Sequence, residues 1–371
     1  MKPYRIIISG GGTGGHIFPA IAIADAFRRR SPDAAILFVG AENRMEMERV
    51  PAAGYEIVGL PVSGFNRSNK FKNLSVLYKF FKSLRMAKKL LREYKPDIAV
   101  GVGGYASGPT LWAASSLGIP TLIQEQNSYA GMTNKFLAKR ASVICVAYDG
   151  MERFFPPQKI VLTGNPVRKE LEMAVAEKEK ALAYFHLSPE KKTVLILGGS
   201  LGARTINNGL SHGLDRLIAA GIQIIWQTGR FYQDAIKAQL EGKDTQNRLW
   251  CSDFISRMDY AYAVADLVVS RAGAGSVSEL CLLEKPAILI PSPNVAEDHQ
   301  TKNAQAVANK GAAVMIADKD VEMQLVDTLL SLIHDTEQLR LFRERIGRLA
   351  HPHSAEAIAD EIEKRIKTRI R

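Results

Sequence analysis

The stretch SGGGTGGHIFPA, Ser9 to Ala20, places five glycines and a histidine directly after a short β-branched run, residues 6–9. Glycines at the end of a strand let backbone N–H groups approach a bound anion, because no Cβ blocks the way and the following helix N-terminus favours negative charge. The apolar spacing that follows predicts a helix from about Pro19 to Arg30. The stretch therefore predicts a strand, an anion-binding turn and a helix.

The alternation of strand-like and helical segments continues along the chain. Strand-like runs in the first half are residues 35–40, 97–103 and 120–126. At Thr193 the pattern restarts with TVLILGGSLGA, which combines a second strand with a second glycine loop. This alternation indicates βαβ units around parallel sheets. Further strand-like runs follow at residues 222–229, 267–275 and 287–293.

The predicted fold class is α/β, with two Rossmann-like lobes and a deep cleft between them. A chain of 371 residues exceeds what one hydrophobic core usually supports, so two lobes are expected. Gly-Asn-Pro within residues 162–171 interrupts both helix and strand and marks the hinge. We predict an N-terminal lobe at residues 1–164, a C-terminal lobe at 165–345, and a C-terminal helix within 346–371 that packs back on the N-terminal lobe.

The first of three glycine loops allows two interpretations. Residues 10–15 match G-x-G-x-x-G, and Glu42 is a conceivable ribose partner, so a nicotinamide-dependent oxidoreductase is one of them. Against it, His16 stands at the helix start where a pyrophosphate would bind. One dinucleotide also does not need the two further loops, residues 198–202 and 273–275.

The third loop precedes a helix that we predict to begin at Ser276. Glu279, three residues later, would complete a capping box with Ser276. The same carboxylate could instead accept hydrogen bonds from the ribose hydroxyls of a nucleotide whose diphosphate lies at the helix N-terminus. Both interpretations stay open at this point.

Positive charge is concentrated in one segment. The formal net charge is +11, and residues 65–95 contain ten Lys or Arg against Glu93 alone, so this segment carries +9 of it. Aromatic residues among these lysines suit an anionic lipid surface. Nucleic acid is the other common partner for such charge, but no recognition motif accompanies it. The face expected to pack on the sheet contains Leu74, Leu77, Phe81, Leu84 and Leu91.

The lack of a signal-peptide pattern and the spacing of the cysteines indicate an intracellular protein. The N-terminal residues lack a signal-peptide pattern, and no window has the roughly 18–20 apolar residues of a transmembrane helix. Cys145, Cys251 and Cys281 stand far apart in apolar runs. Such cysteines are typical of buried thiols rather than of disulfides or a metal cluster.

Seven motifs, in order between residues 9 and 304, resemble those of the MurG family of bacterial UDP-N-acetylglucosamine:undecaprenyl-diphospho-muramoylpentapeptide N-acetylglucosaminyltransferases. The resemblance implies an inverting GT-B transferase that moves GlcNAc from UDP-GlcNAc to the C4 hydroxyl of the MurNAc-pentapeptide of lipid I, giving lipid II for peptidoglycan. The C-terminal lobe would bind the donor and the N-terminal lobe the lipid acceptor. The motifs are GGTGGHIFPA, GVGGYASGP, QEQNSYAGMTNK, LTGNPVR, LGGSLGA, SRAGAGSVSE and EDHQTKNA.

The resemblance also implies a set of donor contacts. Ile255 would act through its backbone at the uracil edge, because its side chain offers no polar atom. Arg168 would offer a fork of donors to phosphate oxygens. The implied contacts to UDP-GlcNAc are Thr13, Gly14, Gly15, Asn127, Arg168, Ser200, Ile255, Ala274, Gly275, Ser276, Val277, Ser278, Glu279 and Gln300.

Inversion requires a single in-line displacement, and therefore a base for the acceptor hydroxyl. We favour His16, because an imidazole titrates near working pH; the alternatives are that His16 orients the loop or that Glu125 is the base. Tyr105 and Asn134 are candidate acceptor contacts.

No cofactor and no strict metal requirement are expected. Asp318-Lys319-Asp320 has the letters of a metal-binding Asp-x-Asp, but Asp320 is better explained as the N-cap of the following helix. The expected partners are UDP-GlcNAc, lipid I and an anionic membrane surface contacted by residues 65–95. The protein is expected to be peripheral, at the cytoplasmic face of the bacterial cell membrane. The rival functions are a UDP-sugar 2-epimerase with the same fold and a non-catalytic lipid-surface module.

Overall fold

The computed structural model describes residues 3–64, 72–167, 171, 177–199, 201–245 and 247–370. The chain divides into two compact units, the first formed by residues 1–167 with 352–371 and the second by residues 168–351. The predicted boundary at residue 345 would cut a helix, Thr336–Gly347, so the second unit extends to His351.

The first unit is built on a parallel sheet. Within its described residues, seven strands lie in the order β3-β2-β1-β4-β5-β6-β7. The β-branched run at residues 6–8 is fully buried, as expected for a parallel strand covered on both faces. The strands are β1 Arg5–Ser9, β2 Ala35–Ala41, β3 Glu56–Leu60, β4 Ile98–Gly101, β5 Thr121–Glu125, β6 Val143–Val146 and β7 Ile160–Leu162.

The helices of the first unit cover its sheet. The first of them begins earlier than predicted, at Gly14, so the last two glycines of the opening stretch belong to its first turn. The helices are α1 Gly14–Arg30, α2 Glu46–Ala52, α3 Lys72–Tyr94, α4 Ser107–Ser116 and α5 Met132–Leu137, with short 3-10 turns at Met151–Arg153 and Pro157–Lys159.

The C-terminal helix, Ser354–Ile370, belongs to the first unit. It packs along α1, where Ile358 and Ile362 join the same buried cluster as Ile23 and Phe27. The Arg29 guanidinium also donates to Glu356, 2.6 Å away. Exposed ion pairs of this kind stabilise little, so the apolar contacts hold the helix in place.

The predicted apolar face of α3 is partly wrong. Leu91 is buried as expected, but Leu77 and Phe81 are 47% and 53% exposed. Val76 and Ser83 are buried instead. The stripe that packs on the unit is therefore rotated from the predicted one, because small side chains rather than the largest ones approach the neighbouring helix closely.

The second unit repeats the architecture with six parallel strands among its described residues, in the order β10-β9-β8-β11-β12-β13. Its strands are β8 Thr193–Leu197, β9 Gln223–Gln227, β10 Leu249–Ser252, β11 Leu267–Ser270, β12 Ala287–Leu289 and β13 Val314–Met315. Its helices are α6 Lys178–Phe185, α7 Arg204–Ala219, α8 Gln233–Leu240, α9 Met258–Val264, α10 Ala274–Leu282, α11 His299–Ala308, α12 Val321–His334 and α13 Thr336–Gly347, with 3-10 turns at Ala296–Asp298 and Asp318–Asp320.

The strand order reverses beside the first strand of each unit. β1 lies between β2 and β4, and β8 lies between β9 and β11. The loops that follow adjacent strands diverge at such a switch point, which is where open α/β sheets bind ligands. The first and second glycine loops both follow these strands, and the third follows β11 beside the second switch point.

Two remaining predictions concern buried thiols and membrane-spanning segments. Cys145 and Cys281 are buried and Cys251 is half-buried, all with free thiols. Burial raises the pKa of each thiol to about 12. Over the part of the chain that the structure describes, none of the helices is both long and apolar enough to cross a membrane.

Candidate functional site

His16 lies directly after the first glycine loop, at the end of the first sheet. His16 lies in the first turn of α1, and its Nδ1 is 3.0 Å from the carbonyl oxygen of Gly11 and 3.2 Å from Oγ1 of Thr13. A carbonyl oxygen can only accept, so the Nδ1 atom carries the proton. In the neutral ring Nε2 is then the basic nitrogen. This is the tautomer that a general base acting through Nε2 requires.

The backbone of Gly103, just after β4, packs against the imidazole. A Cβ built on Gly103 would lie 2.8 Å from both Cδ2 and Nε2 of His16. The φ angle of Gly103 is +95°, which L side chains rarely adopt. The loops after β1 and β4 therefore fix the ring jointly, at the point where these strands lie side by side.

Glu125 is buried, and its two oxygens accept four hydrogen bonds. Oε1 accepts from the backbone N–H and the side-chain amide of Asn127, at 3.1 and 3.3 Å. Oε2 accepts from the Gly131 N–H at 3.0 Å and from the Asn134 side-chain amide at 2.8 Å. Burial raises the pKa of Glu125, and these donors oppose the shift. A carboxylate saturated by four donors organises the loop after β5, which argues against the alternative that Glu125 is the base.

Two other predicted residues of this unit differ in exposure. Asn134 is buried and points to Glu125, so the structure gives it a role in shaping the loop. Tyr105 is 51% exposed. Its ring lies against the backbone of Gly64, where a Cβ would come 2.3 Å from the tyrosine Oη. Of the two candidate acceptor contacts, Tyr105 is the one that presents its side chain to solvent.

Glu46 is a residue of this site that the sequence analysis missed. It lies at the start of α2, is fully buried, and accepts a hydrogen bond from the Gly12 N–H of the first glycine loop at 2.9 Å. The available signal was its position four residues before Val50, which places a carboxylate on the buried face of a short helix.

The third glycine loop begins its helix two residues earlier than predicted. Gly273 is the N-cap residue of α10, and no side-chain cap bond forms. The prediction of a capping box between Ser276 and Glu279 is therefore wrong. Instead, the Tyr262 hydroxyl donates to Oε2 of Glu279 at 3.0 Å. Val277 is buried in the unit, so its side chain packs inward.

Two other residues of the second unit that are predicted to contact UDP-GlcNAc are Ile255 and Gln300. The Ile255 side chain is buried and its N–H donates to Gln227 at 3.3 Å. The Gln300 Oε1 accepts from the Ser292 N–H at 2.8 Å, which ties α11 to the loop after β12. Arg168 and Ser200 lie outside the described residues.

Arg271 is the second residue that the sequence analysis missed. It follows β11, forms an ion pair with Asp318, and donates to the Ile290 carbonyl at 3.2 Å and to the Thr205 hydroxyl at 3.1 Å. Asp318 also accepts from Thr205 at 2.6 Å. Asp318 thus belongs to an ion pair that joins the loops after β11 and β12 to the start of α7. Asp320 stands at the N-cap position of α12, as predicted, but its side chain forms no cap hydrogen bond.

Two family models match this chain, one in each half. The family model described as the glycosyltransferase family 28 N-terminal domain matches residues 6–146, and the C-terminal domain model of the same family matches residues 193–358. The UDP-N-acetylglucosamine--N-acetylmuramyl-(pentapeptide) pyrophosphoryl-undecaprenol N-acetylglucosamine transferase of Parabacteroides distasonis is 65% identical over 364 residues, which cover 98% of this chain and 99% of that protein.

Solved structures match across both units. The crystal structure of Acinetobacter baumannii MurG has a TM-score of 0.79 and 27% identity, and the match covers 98% of this chain and 100% of that one. UDP-GlcNAc 2-epimerase from Neisseria meningitidis, bound to UDP-GlcNAc, has a TM-score of 0.66 at 14% identity, over 98% of this chain and 100% of that one. The second likeness shows the fold alone. The predicted two-lobed parallel α/β architecture is confirmed.

Gly103→Ala tests whether the two loops fix the imidazole. Its Cβ would displace the His16 ring, so we expect catalytic turnover to fall at least tenfold, together with about 1–2 kcal/mol of lost stability from the positive φ. Gly118→Ala is the matched control, because its φ of +70° imposes similar strain and its Cβ would meet nothing within 4 Å. Thermal unfolding and steady-state turnover of both variants are measured. Equal turnover in the two variants would refute this role for Gly103.

Proposed function

The chain belongs to glycosyltransferase family 28, and we propose that it transfers GlcNAc from UDP-GlcNAc to the C4 hydroxyl of the MurNAc-pentapeptide of lipid I, giving lipid II for peptidoglycan. The observation that carries this proposal is the 65% identity, over 98% of the chain, to a transferase named for that donor and acceptor. The epimerase alternative rests on a likeness at 14% identity, which concerns the fold.

His16 is the general base of the proposed reaction. Displacement of UDP from C1 of GlcNAc by the C4 hydroxyl inverts the anomeric centre, and the hydroxyl must lose its proton as the new bond forms. The Nδ1–H donates to the Gly11 carbonyl, so in the neutral ring Nε2 carries the lone pair that would accept that proton. The oxygens of Glu125 already accept four hydrogen bonds from amide groups, so Glu125 has no comparable capacity to take up the hydroxyl proton.

The His16→Ala variant tests this role directly. We expect kcat to fall by about 10²–10⁴-fold, the usual contribution of a general base, while the affinity for UDP-GlcNAc measured by calorimetry changes little. His212→Ala, an exposed histidine of the second unit, is the control and should retain full turnover. If His16→Ala loses donor affinity and turnover in equal proportion, His16 binds the donor and is not the base.

The second unit is the better site for the donor diphosphate. The buried Glu46 carboxylate lies behind the first glycine loop and repels a second anion there. Just before the third loop in the chain, Arg271 forms an ion pair with Asp318, and this pair has no net charge. The N-terminus of α10 can then favour the diphosphate without an opposing charge. This comparison supports the donor contacts implied at Ala274 to Glu279.

Gly275 adds a second argument for the same placement. It is the second residue of α10, where glycine is less favourable than alanine, though by less than the roughly 0.5–1 kcal/mol of a helix interior, and a Cβ there would meet nothing within 4 Å. Neither packing nor helix stability explains a glycine at this position. Close approach of a ligand to the helix backbone does explain it.

For Gly275→Ala we therefore expect two effects of opposite sign. Thermal stability should rise, by less than about 1 kcal/mol, because helix propensity improves. The KM for UDP-GlcNAc should rise at least fivefold, because the added methyl group occupies space next to the donor. Unfolding and donor titrations on the same preparation measure both. A more stable variant with unchanged KM would place the donor elsewhere.

No metal or cofactor is assigned to the reaction. Departure of UDP would be stabilised by the N-termini of α7 and α10 together with Ser200 and Arg168, the two implied contacts that lie outside the described residues. These groups can balance the developing charge on the diphosphate without a metal ion.

Residues 72–94 offer a surface for anionic lipid. Leu77, Tyr78 and Phe81 are exposed on α3, with Lys82 and Arg85 exposed beside them. On α5, which contacts α4 as α3 does, the Phe136 ring is 59% exposed and stacks on Trp112. Exposed apolar rings among cations are typical of interfacial binding. A peripheral position at the cytoplasmic membrane face would bring the first unit to a polyprenyl-linked acceptor.

Reversal of four charges on this surface should separate membrane binding from catalysis. Each basic residue contributes about 1 kcal/mol near an anionic surface, so we expect at least a 100-fold loss of affinity for phosphatidylglycerol-containing vesicles and unchanged turnover of a water-soluble lipid I analogue. The variant is Lys79→Glu, Lys82→Glu, Lys88→Glu and Lys89→Glu.

The matched control reverses four exposed lysines of the second unit. It keeps the same change in net charge and should bind vesicles almost as the natural chain does. Vesicle co-sedimentation measures both proteins. Unchanged binding of the α3 variant, or equal losses in both, would refute the proposed surface. The control changes are Lys178→Glu, Lys191→Glu, Lys237→Glu and Lys310→Glu.

A further inference from the structure

Glu46 lies fully buried beneath the first glycine loop and is bonded to backbone amides. Its Oε2 accepts from the Gly12 N–H at 2.9 Å, and its Oε1 accepts from the Ala41 N–H at the end of β2 at 3.0 Å. Both donors are neutral. Hydrogen bonds to a charged acceptor are about twice as strong as neutral ones, so these two bonds fix both the carboxylate and the loop.

Two glycines make the space that the carboxylate occupies. A Cβ on Gly11 would lie 2.1 Å from Oε1 of Glu46, and a Cβ on Gly40 would lie 2.6 Å from its Cγ. A side chain at either position would push Glu46 away from the loop. The glycine stretch thus accommodates a carboxylate of the protein itself, in addition to any ligand.

The bonded atoms form a continuous chain from Glu46 to His16. The Gly12 N–H that donates to Glu46 and the Gly11 carbonyl that faces His16 Nδ1, at 3.0 Å, belong to one peptide group. Negative charge at the N–H end polarises that peptide and makes its carbonyl oxygen a stronger acceptor. The oxygen then holds the imidazole proton on Nδ1 more firmly.

We propose that Glu46 is a positioning residue for His16, acting through the Gly11–Gly12 peptide. It keeps His16 in the Nδ1–H tautomer and orients the ring so that Nε2 faces the acceptor hydroxyl. Carboxylates commonly do this for histidines by direct contact; here one peptide group lies between them. The catalytic consequence rests on the proposed role of His16 as the base, whereas the effect on the tautomer does not.

Glu46→Gln tests the chain with little change in shape. The amide brings N–H donors to a site where two backbone N–H groups already donate, so one of the two bonds must break. We expect kcat to fall about 10–100-fold, the usual effect of losing an orienting partner, with the KM for UDP-GlcNAc within about threefold of the natural value. In ¹⁵N spectra of histidine-labelled protein, assigned with His16→Gln, the His16 ring should change from the Nδ1–H form to a mixture of tautomers.

Two further variants separate positioning from folding. Asp97→Asn is the control, because Asp97 also accepts a backbone N–H, that of Arg5 at 2.8 Å, at the opposite end of the same sheet. It should leave kcat and the His16 spectrum unchanged. Gly40→Ala keeps the carboxylate and displaces it, so it should reproduce both effects of Glu46→Gln if that variant does not fold.

Each result decides the proposal. An unchanged His16 tautomer in folded Glu46→Gln, or in Gly40→Ala if the first variant is unfolded, overturns it, whatever happens to kcat. A changed tautomer with unchanged kcat supports the link between Glu46 and His16 and instead removes His16 as the base. A changed tautomer with lowered kcat and constant KM supports both.

Discussion

Hydrogen bonds from loop amides to buried carboxylates are the constraint on which the first unit's site depends. Glu46 holds the loop after β1 through Gly12, and Glu125 holds the loop after β5 through Asn127 and Gly131. Glycine-rich turns have many accessible conformations, and ordering them costs conformational entropy. A buried anion offsets that cost, because leaving it without donors would be far more expensive. The geometry of His16 is a consequence of this arrangement.

The second unit orders its loops with the opposite kind of group. Arg271 donates to the Ile290 carbonyl and pairs with Asp318, so a cation gathers carbonyl oxygens and a carboxylate at the sheet edge. A guanidinium presents several donors in a rigid fork, which suits one residue to join three segments. The first and third glycine loops thus have different electrostatic surroundings. The carboxylate beside the first glycine loop would suit the proposed proton uptake, and the neutral ion pair beside the third loop would suit the proposed binding of a diphosphate.

The sequence predicted the strands and the glycine loops well, because β-branched runs and glycine clusters are local signals. It misplaced the start of α10 and the buried face of α3, since a glycine can cap a helix and small residues such as Ser83 can face a neighbouring helix in place of Phe81. Glu125 was named as the alternative base, because its four donors come from the loop after β5 and the start of α5, whose conformation no sequence pattern reveals. Glu46 was missed because a glutamate at a helix start is ordinarily exposed.

Amide hydrogen exchange of the ligand-free protein tests the central claim most directly. If Glu46 and Glu125 hold the loops, the amides of Gly12, Ala41 and Gly131 should exchange at least about a thousandfold more slowly than in an unstructured peptide, as sheet amides do. Exchange of the Gly12 and Gly131 amides at the rate of exposed turns would contradict the account, because the loops would then be ordered by ligand rather than by the protein's own carboxylates.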